Sequence, residues 1–215
     1  MKKDFRAVLF DLDGTLTNTL ADIAAAMNRA LERQGLPAWE TDAYRYLVGN
    51  GARTLAVRAV RDRQDLLEPV LADYQQYYET HSRVLTRPYP GIPELLRALA
   101  GRGIPCCVLS NKPDADTRGV VRYFFPDIPF AFIQGQTEKF PLKPEPAAAI
   151  HIAEELGIPP EHFAYLGDTA VDMKCACGAG MHPIGVLWGF REEKELLDNG
   201  AEVLLHTPAE LLEML

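Results

Sequence analysis

The 215-residue sequence has no long apolar run, few cysteines and no excess of basic residues. No apolar stretch is long enough to cross a bilayer, so no membrane partner is expected. The start at Met1 leads into no uninterrupted apolar segment, which argues against a secretory leader and makes the cytoplasm the expected location. A net charge of −8 argues against a nucleic-acid partner, because phosphate backbones are bound by basic surfaces. A small anionic ligand needs only a local positive site and stays compatible with this charge.

The four cysteines and five histidines show no metal-binding spacing. The cysteines are Cys106, Cys107, Cys175 and Cys177, and no C-x-x-C pair occurs among them, so a zinc site is not expected. The first two lie in an apolar strand-like run and the last two on a predicted helix, and the members of each pair point in different directions. We expect all four to be buried, reduced thiols.

Hydrophobic periodicity divides the chain into a helical segment and an alternating α/β segment. Helical patterns are expected at 20–34, 41–48, 52–61 and 69–82, and no strand signal interrupts 17–86. Elsewhere we expect strands at 5–10, 105–109, 130–133, 163–166, 183–187 and 202–205, and helices at 93–101, 114–123, 146–156, 170–179 and 208–214. This alternation predicts a mostly parallel sheet with helices on both faces. We therefore expect an α/β core at 1–16 and 87–215, with an inserted helical cap at 17–86.

Two carboxylates follow the first predicted strand, in the segment Asp11-Leu12-Asp13-Gly14-Thr15-Leu16. Carboxylates repel one another and resist burial, so packing alone does not explain the pair. A divalent cation would relieve the repulsion, and one carboxylate could then attack an electrophile. Two later strands also end in polar groups, at Ser110-Asn111 and at Asp168, and ligand sites of parallel sheets lie at such ends.

Four motifs in this order resemble the haloacid dehalogenase superfamily of aspartate-nucleophile phosphatases. They are the segment at 11–16, Ser110, Lys143-Pro144-Glu145-Pro146, and Gly167-Asp168-Thr169-Ala170-Val171-Asp172. The resemblance extends over essentially the whole chain. It implies an enzyme with a Rossmann-like catalytic core, a helical cap and phosphatase activity.

The resemblance also implies roles for individual residues. Asp11 would be the nucleophile that forms an aspartyl-phosphate, which divides one difficult displacement into two easier ones. Asp13 would protonate the leaving alkoxide and then deprotonate the attacking water. Ser110 would donate its hydroxyl to a phosphoryl oxygen, with the Asn111 amide beside it, and Lys143 would neutralise negative charge on the transferring group. Thr15 is a further candidate for substrate binding.

A magnesium ion is the cofactor that the resemblance implies. Its ligands would be a carboxylate oxygen of Asp11, the backbone carbonyl of Asp13 and a carboxylate oxygen of Asp168, since Mg²⁺ prefers hard oxygen donors. Asp172 is either a further ligand or a residue that orients a metal-bound water or Lys143.

Two features narrow the activity within the superfamily. Asp13 favours a phosphatase over a dehalogenase, because a leaving halide needs no proton. The cap at 17–86 contains no lysine, which excludes the Schiff-base mechanism of phosphonoacetaldehyde hydrolases if the cap has these bounds. The segment Val48-Gly49-Asn50-Gly51-Ala52-Arg53, together with the segments 22–28 and 185–189, resembles phosphoglycolate phosphatases. Its glycines and helix start would face the substrate carboxylate, with Arg53 as the candidate charge partner.

The expected function is hydrolysis of a small anionic phosphorylated metabolite, with 2-phosphoglycolate as the favoured substrate. A sugar-phosphate mutase or a pyrophosphatase on the same core stays open, as does a non-catalytic regulator that binds a phosphorylated ligand. The sequence leaves the choice between a monomer and a homodimer open.

Overall fold

The computed structural model describes residues 4–215, so the interpretation of the first three residues as unlike a secretory leader lies outside the described part. The strands are β1 (Ala7–Phe10), β2 (Thr17–Asn18), β3 (Arg87–Pro88), β4 (Cys106–Pro113), β5 (Phe132–Gln136), β6 (Phe163–Gly167), β7 (His182–Val186) and β8 (Val203–Leu205). The α-helices are α1 (Leu20–Arg33), α2 (Tyr44–Leu47), α3 (Ala52–Ala59), α4 (Leu67–His81), α5 (Ile92–Gly101), α6 (Asp114–Phe124), α7 (Ala147–Leu156), α8 (Ala170–Ala179), α9 (Glu193–Asp198) and α10 (Leu211–Met214). Within the described residues, no helix combines the length and the apolar character needed to cross a membrane.

Six strands form one parallel sheet in the order β5-β4-β1-β6-β7-β8. β1 lies inside the sheet and is fully buried, because helices cover both faces. Alternate residues of β1 point to opposite faces of the sheet. Val8 and Phe10 pack in the hydrophobic cluster that includes α5 and α6. Ala7 and Leu9 pack in the cluster that includes α7 and α8. This sheet with helices around it confirms the predicted Rossmann-like α/β fold class.

The register of the central strands brings their carboxyl ends level. Phe10 of β1 is paired with Val108 of β4 on one side and with Leu166 of β6 on the other. The residues that follow these three positions therefore emerge at one edge of the sheet, as the sequence predicts.

The helices between β2 and β3 pack around a hydrophobic cluster of their own, and we refer to residues 20–81 as the helical block. Its buried members are contributed mainly by α1, α3 and α4, with Met27, Leu55 and Tyr74 as examples. Among the residues that the structure describes, Phe190 is the one buried cluster member from outside the block. The division into a core and a cap domain at 17–86 stays a prediction.

The expectation that no strand interrupts 17–86 is wrong at its first residues. Thr17–Asn18 pairs antiparallel with Arg87–Pro88, at the two places where the chain passes between the sheet and the helical block. Two residues are too few to produce a periodic hydrophobic signal. Next to this ladder, the buried carboxylate of Asp22 accepts hydrogen bonds from the backbone N–H groups of Leu85 and Thr86.

Three further expectations need correction. β4 continues to Pro113 rather than ending at 109, because its ladder with β5 resumes after an irregularity between Leu109 and Pro113. The last helix is divided into a 3-10 turn at Pro208–Glu210 and the short α10. Cys177 is exposed, whereas the other three cysteines are buried, since it faces away from the sheet on α8.

Candidate active site

The ends of β1, β4 and β6 bring the predicted chemical groups to one place. Asp11 follows β1, and its backbone N–H donates to the carbonyl of Leu166 at 2.9 Å. Ser110 and Asn111 lie in the outer part of β4, and Asp168 follows β6. Each of these residues is buried although polar, so each must find partners within the site.

Lys143 is the centre of a buried ion-pair network. Its Nζ lies 2.7 Å from Oδ1 of Asp11, 2.7 Å from Oδ1 of Asp172 and 3.0 Å from the carbonyl oxygen of Leu109. These three acceptors match the three donors of an ammonium group. The Asn111 side chain holds the Lys143 backbone, accepting from its N–H at 2.8 Å and donating to its carbonyl at 3.0 Å.

The carboxylates of Asp11, Asp168 and Asp172 outnumber the one ammonium group among them, that of Lys143. Burial raises the pKa of Asp11 to about 7, even though the ammonium of Lys143 lowers it. Burial, followed by the charges of Asp11 and Asp172, raises the pKa of Asp168 well above its usual range. Burial alone would lower the pKa of Lys143, but the two carboxylates that it contacts raise it. One further cation would relieve this excess of negative charge.

Asp11, Asp168 and Asp172 fit a divalent cation. Each offers a carboxylate oxygen, and these atoms lie within 4.8 Å of one another. Asp168 is held by the N–H of Phe190 at 2.8 Å and by the Thr15 hydroxyl at 3.4 Å. Its surroundings leave no room for a Cβ atom at Gly14 or Gly189, which explains the glycines at both positions. Three hard oxygen donors in a fixed arrangement are typical of a Mg²⁺ or Ca²⁺ site rather than a Zn²⁺ site.

Asp172 has structural partners as well as its place in the cluster. Its Oδ1 accepts from Lys143, and its Oδ2 accepts from the Thr169 hydroxyl at 2.7 Å and from the Thr169 N–H at 3.2 Å. The bond from the Thr169 N–H belongs to a capping box at the start of α8, in which the Thr169 side chain also accepts from the backbone N–H of Asp172. The structure therefore gives Asp172 the position to orient Lys143, while its oxygen also belongs to the carboxylate cluster.

A second, partly buried ion pair lies across the same cavity. Oδ2 of Asp13 lies 2.6 Å from Nζ of Lys112, and the two side chains are 19% and 4% exposed. Burial alone would lower the pKa of Lys112, but the charge of Asp13 raises it. Asp13, Lys112, Asp11 and Lys143 all line one cavity beneath the helical block.

The helical block closes this cavity from the other side. Val48, Gly49, Gly51, Ala52, Leu55, Tyr74 and Tyr78 contribute to its walls. The cavity has a volume of about 60 Å³, which is room for a small ligand. Asn111 Nδ2 donates to the carbonyl of Gly49 at 3.0 Å, so this predicted binding residue also links the sheet to the block.

Ser110 and the glycines of the 48–53 segment lie at the cavity, but three other predicted binding side chains do not. Arg53 points to solvent and forms an ion pair with Glu68, because the first turn of α3 faces α4 on that side. Asn50 accepts a hydrogen bond from Arg58 at 2.9 Å. Thr15 lies behind Asp168 and can support it without reaching the cavity.

Sequence reasoning missed four residues that shape the site. Lys112 directly follows the predicted Ser110-Asn111 pair, so its place at a strand end was the available signal. Tyr78 falls within the helix that the sequence predicts at 69–82, and its ring contacts Lys112. Phe190 and Arg191 reach the helical block, where the Arg191 guanidinium donates to the carbonyl of Val48 at 3.1 Å. No spacing rule relates these last two residues to the block.

Comparison with known proteins shows the family of this chain. The sequence matches the profile of haloacid dehalogenase-like hydrolases over residues 8–186. It is 33% identical over 198 residues to a phosphoglycolate phosphatase of Pseudomonas putida, covering 89% of this chain and 72% of that protein. It is 30% identical over 213 residues to an N-acetylmuramic acid 6-phosphate phosphatase of Pseudomonas aeruginosa, covering 98% and 94%.

A solved structure shows the same fold. The predicted phosphoglycolate phosphatase from Haemophilus somnus 129pt superposes with a TM-score of 0.91 at 27% identity, covering 99% of this chain and 98% of that one. The family resemblance stated from the motifs is thereby confirmed. This chain belongs to the haloacid dehalogenase-like hydrolase family.

Proposed function

We propose that the chain is a magnesium-dependent phosphatase of a small anionic phosphate monoester, with 2-phosphoglycolate as the favoured substrate. One observation carries the proposal: Lys143 bonds both Asp11 and Asp172 at 2.7 Å, beside Asp168 and in a cavity that also contains Asp13. Phosphoryl transfer depends on positioning and charge neutralisation, and this arrangement supplies both.

Two displacements account for the reaction. In the first, a carboxylate oxygen of Asp11 forms a bond to phosphorus while the bond to the ester oxygen breaks, and the Asp13 carboxyl gives its proton to the departing alkoxide. In the second, water attacks the phosphorus of the aspartyl-phosphate, Asp13 takes up its proton, and the Asp11 carboxylate and inorganic phosphate are released. Lys143 and Ser110 would face the phosphoryl oxygens during both steps.

The carboxylate cluster is the proposed magnesium site. Asp11, Asp168 and the backbone carbonyl of Asp13 would hold the ion, and Asp172 would either join them or orient Lys143. A bound Mg²⁺ supplies positive charge next to the phosphoryl group.

The size of the cavity favours a small leaving group. A cavity volume of about 60 Å³ suits a two-carbon acid better than a sugar derivative. Ala52 lines the cavity at the start of α3, whose first N–H groups favour a negative charge such as a carboxylate. Similarity to phosphoglycolate phosphatases agrees with this substrate, while the relative that acts on N-acetylmuramic acid 6-phosphate makes that sugar phosphate the second candidate.

The test measures phosphate release from both compounds, with Mg²⁺ or with a chelator, by the wild-type protein and by Asp11→Asn. We expect Mg²⁺-dependent release from 2-phosphoglycolate, and a loss on the order of 10⁴-fold or more in the variant, because its amide is not a nucleophile. Acid-quenched wild-type protein should carry one phosphoryl group by mass spectrometry, and Asp11→Asn should carry none. If the protein prefers N-acetylmuramic acid 6-phosphate, that sugar phosphate replaces 2-phosphoglycolate as the favoured substrate. The absence of turnover on any phosphate monoester would overturn the proposal.

A further inference from the structure

We propose that Lys112 is a positioning residue, which holds the Asp13 carboxylate in place and connects it to the helical block. The inference deepens the proposed function and rests on it in one respect, since Asp13 must act as the acid and base.

The contact between the two side chains is direct and partly buried. Nζ of Lys112 lies 2.6 Å from Oδ2 of Asp13, the distance of a strong charge-assisted hydrogen bond. The other oxygen, Oδ1, is buried and has no hydrogen-bond partner among the described residues. Lys112 therefore fixes the carboxylate through one oxygen and leaves the second for proton transfer to and from the substrate.

The backbone around Lys112 makes it a firm anchor. Its N–H donates to the Ser110 hydroxyl at 3.2 Å, and its carbonyl accepts from the Thr117 hydroxyl at 3.1 Å. These bonds hold the irregular end of β4, from which the side chain crosses to Asp13. An anchor on a sheet strand can hold a group more precisely than a loop residue can.

The same ammonium contacts the helical block. Nζ of Lys112 lies 4.8 Å from the ring centroid of Tyr78. Tyr78 is 2% exposed, and its ring stacks on that of Tyr74 with the ring centroids 5.3 Å apart. A cation over a desolvated aromatic face is attracted to it. Asp116 of α6 also lies close enough to interact with Lys112, so the α/β part of the chain and the block both contribute to its surroundings. Movement of the block away from the sheet would remove the ring and loosen the hold on Asp13.

The test compares two substrates of nearly equal size, ethyl phosphate and 2,2,2-trifluoroethyl phosphate. The fluorinated alkoxide is the better leaving group and needs less help from an acid. We compare kcat/KM, because it includes the step in which the alcohol leaves. Lys112→Met should lower kcat/KM about 10²-fold for ethyl phosphate and about 10-fold or less for the fluorinated ester. Tyr78→Leu should change the ratio of the two values in the same direction by about threefold, as loss of a cation–π contact predicts.

Several outcomes would overturn the inference. Equal losses on both esters would show a general structural defect, and no loss would show that Asp13 needs no anchor. A loss confined to 2-phosphoglycolate would show that Lys112 binds the substrate carboxylate instead. If Lys112→Met does not fold, the same ratio is measured for Lys112→Gln, and an unchanged ratio there overturns the inference.

Two controls separate this inference from the function on which it rests. Lys139→Met removes an exposed lysine and should leave both substrates unaffected. Asp13→Asn should change the ratio at least as much as Lys112→Met does. If Asp13→Asn lowers both values equally, the proposed role of Asp13 fails; if Asp13→Asn changes the ratio and Lys112→Met does not, only the role of Lys112 fails.

Discussion

The carboxyl edge of the sheet and the helical block above it are held together in different ways. The edge depends on full charges in a buried setting, with Lys143 at 2.7 Å from each of two carboxylates. The block reaches it partly through backbone carbonyls, which accept from Asn111 at Gly49 and from Arg191 at Val48. A buried ion pair loses several kcal/mol when one partner is removed, whereas a hydrogen bond typically contributes about 1 kcal/mol. The ion pairs at the edge are therefore stronger than the hydrogen bonds that join the block to it.

Phe190 lies where the two regions meet. Its backbone N–H donates to Asp168, and its side chain is buried in the hydrophobic cluster of the block. One residue therefore belongs to the charged region through its main chain and to the apolar region through its ring. Variants at Lys143, Phe190 and Arg53 test the edge, the junction and the block in turn.

Lys143→Met should have the largest effect of these changes. It leaves Asp11 and Asp172 buried without their cation, so we expect a loss of about 3 kcal/mol in the free energy of unfolding without metal. We also expect kcat to fall by about 10²- to 10³-fold, because positive charge at the transferring group is lost. Urea unfolding in a chelator and steady-state kinetics in Mg²⁺ measure the two effects.

Lys139→Met is the matched control for a lost lysine charge, and it should change neither quantity. A stability loss below about 1 kcal/mol for Lys143→Met would mean that water or nearby groups replace the ammonium. The contrast between an edge held by ion pairs and a block joined to it by weaker hydrogen bonds would then be invalid.

Phe190→Ala should act on the junction without altering the metal ligands. The variant keeps the backbone N–H that donates to Asp168, so the affinity for Mg²⁺ should stay unchanged. Loss of the buried ring weakens the contact with the block, and we expect kcat/KM for 2-phosphoglycolate to fall about 10-fold, or 1.4 kcal/mol. Phe190→Leu, which keeps most of the apolar volume, should lose less than about threefold. A parallel loss of Mg²⁺ affinity would show that the ring positions Asp168 after all.

The two regions also differ in how far the sequence alone predicts them. Asp11, Asp168 and Lys143 follow strands or precede a helix, and parallel pairing brings such positions to one edge whatever the details of packing. The family and the α/β fold class could be predicted for the same reason. Lys112 was missed although it follows Asn111 directly, because a lysine alone is usually a solvated surface charge.

Side chains of the helical block were harder to predict. The sequence predicts that the segment 48–53 faces the substrate, and in the structure its glycines, Val48 and Ala52 line the cavity, whereas Asn50 and Arg53 do not. The Asn50 side chain turns towards Arg58 in α3 and the Arg53 side chain towards Glu68 in α4, and the sequence pattern of the segment encodes neither pairing. The contact of Phe190 with the block depends on the docking of two regions, and no local pattern encodes it.

Stabilisation by Mg²⁺ should depend on pH. Without metal, the raised pKa of Asp11 means that the folded protein keeps a proton that the unfolded chain has already lost. That contribution to stability is complete below the unfolded pKa and disappears as pH rises through about 7, where Mg²⁺ can replace the proton. The difference in Tm between Mg²⁺ and chelator should therefore grow by about 5 °C from about pH 6 to about pH 8. In Asp168→Asn the difference should be small at both pH values, and a wild-type difference that shrinks with pH would contradict the assignment of the cluster.

Arg53→Ala should have the smallest effect, although the sequence made Arg53 the candidate partner of the substrate carboxylate. In the structure its side chain is 62% exposed and pairs with Glu68, and exposed pairs contribute little. We expect kcat/KM for 2-phosphoglycolate to change by less than about twofold, and Glu68→Ala, which removes the other partner, should behave alike. A loss of about 10-fold for 2-phosphoglycolate, absent for ethyl phosphate, would mean that Arg53 leaves Glu68 and enters the cavity when substrate binds. The helical block would then contribute a charge of its own to the reaction, and the contrast with the sheet edge would hold only without substrate.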